Sequence, residues 1–101
     1  MITKDRARAL ADAYLHRAPR EFEVVILDDY TQDHDWCWVF FYNSRKYVET
    51  GEVGYALAGN GPILVDKRNR EIQQIPPVLA IQDMKKAVDQ AKRREFTVDS
   101  R

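Results

Sequence analysis

The run Trp36-Cys37-Trp38-Val39-Phe40-Phe41-Tyr42 constrains the fold more than any other stretch of the chain. Successive side chains of an extended strand point to opposite faces. Trp36, Trp38, Phe40 and Tyr42 therefore face one way, and Cys37, Val39 and Phe41 the other. Both sets are apolar. Such a strand lies inside a sheet covered on both sides, or has one face covered by the fold and the other by a partner. A second constraint follows downstream, in Gly59-Asn60-Gly61-Pro62-Ile63-Leu64-Val65-Asp66. The two glycines and Asn60 supply positive-φ geometry, and Pro62 forces an extended entry. Ile63 to Val65 form a short apolar strand, and Asp66 opens the next turn.

The rest of the chain supplies covers for that sheet. Thr3 caps a first helix, with Asp5 near its positive end. Ala7, Leu10, Ala11, Tyr14, Leu15 and Ala18 recur at helical spacing, and Pro19 closes the element. Phe22 to Leu27 reads as a strand, and the polar stretch Asp28 to Asp35 as the turn after it. Residues 43–60 form a long connection in which Tyr47, Val48, Tyr55 and Leu57 tuck back. Tyr55 to Ala58 read as a helical turn within it. Ile63–Val65 and Glu71–Ile75 make a hairpin around Lys67-Arg68-Asn69, with Asn69 in the left-handed position. Pro76-Pro77 ends it. Val78, Ile81, Met84, Val88 and Ala91 trace a second helix, with Phe96 anchoring its end and a frayed tail over 97–101. The predicted fold is α+β: an N-terminal helix, an antiparallel sheet of about four strands and a C-terminal helix. At 101 residues and 45% apolar, this is a single domain over 1–101.

Charge is balanced overall but not along the chain. Residues 21–35 carry Glu21, Glu23, Asp28, Asp29, Asp33 and Asp35 with no Lys or Arg, a block of −6 in a chain of net charge zero. The neutral total argues against general nucleic-acid binding. No apolar run approaches a membrane span, and no signal core follows Met1. A lone cysteine fits a reducing cytoplasm.

No motif here assembles catalytic chemistry. Asp28, Asp29, Asp33, His34 and Asp35 lack the alternate spacing and the glycine of a calcium loop, so no metal site is expected. Cys37 with His34 or His16 invites a thiol-nucleophile reading. Cys37 sits within an apolar strand, however, which favours a buried structural thiol. Gly59-Asn60-Gly61 precedes a strand rather than a helix and lacks a lysine, so it is no phosphate cradle. Trp36 and Trp38 read as core before they read as a binding platform.

Three segments in order carry a resemblance to a known family: Trp36 to Ser44, then Tyr47-Val48-Glu49-Thr50-Gly51, then Leu57 to Asp66, framed by the two helices. Over residues 3–92 the chain resembles the bacterial immunity protein 35 domain family, which includes the YrhB-type small proteins. It departs from the family pattern at Arg68-Asn69-Arg70, where members often carry Thr-Gly, and at Pro76-Pro77. The resemblance implies a non-enzymatic, cofactor-free protein that binds and neutralises a cognate toxin of a bacterial polymorphic toxin system. The alternative it implies is a chaperone-like stress protein binding unfolded chains. A small hydrolase using Cys37 is a third reading. Monomer and homodimer both remain open. From exposure and charge alone, Asp28, Asp29, Asp33 and Asp35 are expected to steer a protein partner, with Tyr30 as an aromatic anchor. The loop from Tyr47 to Glu52, with Tyr47, Glu49 and Glu52 as its named residues, is a second candidate surface.

Overall fold

The computed structural model describes residues 1–17, 22–57, 61–77, 80 and 83–93. Helix α1 (Lys4–His16) starts where Thr3 Oγ1 accepts from Arg6 N, and Asp5 lies in its first turn. Its sheet-facing residues Ala7, Ala11 and Leu15 are buried, as the periodicity predicts. The two alanines carry only a methyl, so the helix backbone lies close to the sheet. Arg17 at the C-cap stacks its guanidinium 4.4 Å from the Tyr14 ring. Strands β1 (Val24–Ile26) and β4 (Tyr42–Ser44) pair antiparallel as one sheet. Strands β2 (Gln32–Asp33), β3 (Cys37–Phe40), β5 (Ile63–Asp66) and β6 (Ile72–Gln74) form a second antiparallel sheet in that order. Helix α2 (Arg45–Thr50) joins β4 to a 3-10 turn at Val53–Tyr55, and helix α3 (Met84–Arg93) is the last described element. Asp83 caps α3 by accepting from Lys86 N.

The doubly apolar strand is central, with a helix over each face. On one side Phe40, Ile63 and Val65 pack with Ala7, Ala11 and Leu15 of α1, and with Val24, Ile26 and Tyr42. On the other Cys37, Val39, Leu64 and Ile75 pack with Ala87, Val88 and Ala91 of α3. Each fully buried Leu, Ile or Phe contributes roughly 1.5–3 kcal/mol. The alternation holds from Cys37 to Tyr42 and fails at Trp36, which joins the Cys37 side.

Several expectations are corrected. The single strand Trp36–Tyr42 is two strands, β3 and β4, interrupted at Phe41, whose carbonyl accepts from Leu27 N. That break lets the chain pass from one sheet to the other. The Asp28–Asp35 turn holds a 3-10 turn (Asp28–Tyr30) and strand β2. The helical turn expected at Tyr55 to Ala58 lies earlier, at Val53–Tyr55, with Ala58 outside the described residues. Val48 is not tucked back but 52% exposed. In the β5–β6 hairpin the left-handed residue is Arg70, at φ 64°, rather than Asn69. Asn69 serves through its side chain, accepting from Glu71 N at 2.9 Å. The following residue must then turn back so that Asp66 N can reach Glu71 O. Left-handed geometry costs a non-glycine residue about 1–2 kcal/mol. The roles expected of Ala18, Pro19, Gly59, Asn60, Val78, Ile81, Phe96 and the 97–101 tail lie outside the described residues.

Asp66 ends β5 almost fully buried, accepting from Arg68 N at 2.7 Å and from the Arg68 guanidinium at 2.8 Å. Burial alone would raise its pKa. The hydrogen bonds and charge of Arg68, with a further backbone bond from Asn69, outweigh that and hold the carboxyl below its ordinary 3.8. A carboxyl depressed on folding contributes stability above its unfolded pKa and loses it as pH falls through the folded value. The urea midpoint is therefore expected to fall from about pH 5 downward through the carboxylate range. An Asp66→Asn variant should show a shallower fall over the same range. An unchanged acid limb in that variant would contradict the assignment.

Candidate functional site

Two segments named from the sequence meet on one face. After β1 the chain turns through Asp28–Tyr30, fixed by Tyr30 N to Leu27 O at 3.0 Å and Thr31 N to Asp28 O at 3.2 Å. Arg8 of α1 grips Asp28 with both ends of its guanidinium, Nε to Oδ1 at 2.6 Å and Nη2 to Oδ2 at 3.2 Å. That bond holds the Asp28 carboxyl below the usual range, although the pair is exposed and adds at most about 1 kcal/mol. The turn is thus tied to α1, and Tyr30 projects from it 66% exposed. Across from it stands α2. Its cap is Ser44, whose Oγ accepts from Tyr47 N. Gly51 ends it in the left-handed conformation. Val48 of α2 lines one hollow of about 330 Å³ with Ile26, Leu27, Asp28, Asp29 and Tyr30. An aromatic ring and an aliphatic side chain there flank a carboxylate, that of Asp29, with no ion-pair partner among the described residues.

The acidic block does not stay together in space. Asp28 is held by Arg8, Glu23 by Arg45 and Asp33 by Lys67. Asp33 and Asp35 line a separate hollow, with His34 and Trp36, against Lys85 and Lys92 of α3. Glu49 lines a third, beside Phe22, Glu23, Arg45 and Lys46. Glu52 is exposed ahead of the second 3-10 turn. Tyr47 is half-buried, and its backbone serves both ends of α2. Val48 lies within the candidate loop but is not singled out from the sequence, which reads it as tucked back. Neighbours in a helix point about 100° apart, so a half-buried Tyr47 turns Val48 outward. Recognising a helix after the Ser44 cap would have given that signal.

The nucleophile arrangement weighed from the sequence is not assembled. Cys37 is fully buried, and burial, with the nearby Asp66 charge, pushes its thiol up to about 12. The His34 ring is engaged by Gln32 Oε1 at 2.9 Å. Among the described residues no group of three or more His, Cys, Asp or Glu is placed to hold a metal ion. No described helix is long and apolar enough to cross a membrane. Trp36 is buried and Trp38 packs partly buried against the α1-side core, with Lys67 Nζ 4.5 Å from its ring.

These features can be set beside known proteins. No solved structure gives a significant match. The protein "Uncharacterized protein YrhB" of Escherichia coli (strain K12) is 33% identical over 75 residues, covering 74% of this chain and 76% of its own length. The sequence profile described as Immunity protein 35 matches residues 5–93. That span takes in α1 from its second residue, the six described strands, α2 and α3, so the likeness extends to every described element that builds the core. With both faces of its central strand accounted for by the family's own span, the chain belongs to the immunity protein 35 family.

Proposed function

We propose that this chain is an immunity protein, acting in the cytoplasm of its producer by binding one cognate polymorphic toxin and covering its working surface. The observation that carries this reading is the hollow shared by Tyr30 and Val48, exposed on a member of an immunity family. A tyrosine buries a large area at low entropy cost, and a neighbouring aliphatic surface helps exclude water from it. Asp29 at the rim favours a partner with basic groups around its apolar contact. The action is binding without turnover. A Cys37→Ala variant is accordingly expected to keep protective activity if it folds.

The test is a pull-down from the producing strain, with any toxin encoded beside this gene as the first candidate. The native protein should retain one partner and protect cells from it. Tyr30→Ala should keep the fold and lose roughly thirtyfold in affinity, about 2 kcal/mol, read by calorimetry. Full affinity in Tyr30→Ala and in Val48→Asp would remove this face from the proposal. A general chaperone needs a broad apolar surface. The large apolar side chains exposed among the described residues are Met1, Tyr30, Val48 and Val53. So small a set favours one specific contact. Suppressed aggregation of unrelated proteins, with no captured toxin, would favour the chaperone reading instead.

A further inference from the structure

A hollow of about 360 Å³ lies between the start of α1 and the β5–β6 turn, lined by Ile2, Thr3, Arg6, Lys67, Arg68 and Arg70 among others. Ile2 N donates to Lys67 O at 3.2 Å, so the two walls are tied together. Two of its four cationic side chains are already engaged. Lys67 is held by the Asp33 carboxylate and the His34 carbonyl. Arg68 is held by Asp66, and its guanidinium lies 5.4 Å from the Trp36 ring. Arg6 and Arg70 have no carboxylate partner among the described residues. Glu71, next in the chain to Arg70, accepts from Asn69 Nδ2 through its Oε2. Arg70 is also the residue at φ 64°, where glycine or asparagine would fold with less strain. A cation thus stands at the one non-glycine residue with positive φ among the described residues.

We propose that Arg6 and Arg70 together clamp carboxylates of an acidic segment in the protein partner, a contact separate from the Tyr30 face. The identity of the ligand rests on the toxin-binding reading, while the anion site itself does not. Arginine presents a planar fork that matches a carboxylate. Nucleic acid would also supply anions. Its binding, however, grows with the number of phosphates neutralised, and two free arginines in a chain of net charge zero give little of that.

The experiment titrates the isotope-labelled full chain with hexaglutamate and, separately, with hexauridylate, following backbone amide shifts. Hexaglutamate is expected to give saturable shifts at Arg6 and over Lys67–Arg70, weakened at least fivefold in Arg6→Gln and in Arg70→Gly. Arg70→Gly should at the same time raise the urea midpoint, since glycine accepts the left-handed conformation. Opposite signs in one variant separate a ligand contact from a structural role. Shifts that are absent, scattered, or unchanged in both variants overturn the proposal, as does tighter binding of hexauridylate. Tyr30→Ala should bind hexaglutamate like the parent, so loss of this site and loss of the toxin reading are read independently.

Discussion

Gly61→Ala is expected to cost about 3 kcal/mol or more, a large part of the roughly 5–15 kcal/mol available to a domain of this size. A Cβ at this position would sit 1.5 Å from Ile75 O, 2.7 Å from Ile75 C and 3.3 Å from Pro77 N. All three are backbone atoms, so no side-chain rotation relieves the clash. The Ile75 backbone is itself fixed, because its N–H donates to Pro62 O at 2.9 Å and its side chain is fully buried under α3. Making room requires the end of the hairpin to open. That movement strains the Ile75–Pro62 bond and the Gln74 Nε2 to Gly61 O bond, and pulls Ile75 from the core. Gly54→Ala is the control: its Cβ would meet nothing within 4 Å, and the change should stay within about 0.5 kcal/mol. Urea denaturation of both variants decides the matter. A Gly61→Ala midpoint matching the parent would mean that the two chain segments do not cross as described.

That glycine shows where sequence reading succeeds and where it stops. The Gly-Asn-Gly-Pro stretch is legible as a constrained path into a buried strand, and β5 follows it at Ile63. The reason for Gly61 is not legible. Its φ is not among the positive values, and what it provides is space for a carbonyl fourteen residues later in the chain. Close approach is a tertiary fact and leaves no local mark. The same holds for charge. Six acids and no cation between 21 and 35 read as one steering patch. In space Arg8, Arg45 and Lys67 arrive from three other elements and neutralise three of them. Periodicity, by contrast, is local, so α1 and the alternation from Cys37 to Tyr42 are recovered almost residue by residue. The helix starting at Arg45 is too short for its periodicity to be read, and with it went Val48 and half of the candidate face.

Ser44→Ala should cost roughly 2–4 kcal/mol and, on the proposed immunity reading, weaken partner binding, although Ser44 is fully buried. Its Oγ accepts from Tyr47 N at 3.0 Å, capping α2, and donates to Tyr55 O at 2.5 Å, holding the second 3-10 turn. Alanine removes the cap, worth about 1 kcal/mol, and leaves the Tyr55 carbonyl without its donor, worth a further 1–3 kcal/mol. Asn43 reinforces the same junction, its Oδ1 accepting from both Ser44 N and Leu57 N at 2.8 Å. A six-residue helix has almost no stability of its own, so α2 depends on these bonds for its existence. Once the cap is lost the helix frays, and Val48 no longer holds its place beside Tyr30. Two readouts keep fraying distinct from global unfolding. Under conditions where the variant remains folded, amide exchange should accelerate over Tyr47–Thr50 while β3 and β5 stay protected. If the proposed toxin binding holds, affinity for the captured toxin should fall at least fivefold in the same buffer. Unchanged exchange in α2 would refute the dependence of that helix on Ser44, and unchanged affinity alongside faster exchange would remove Val48 from the binding face.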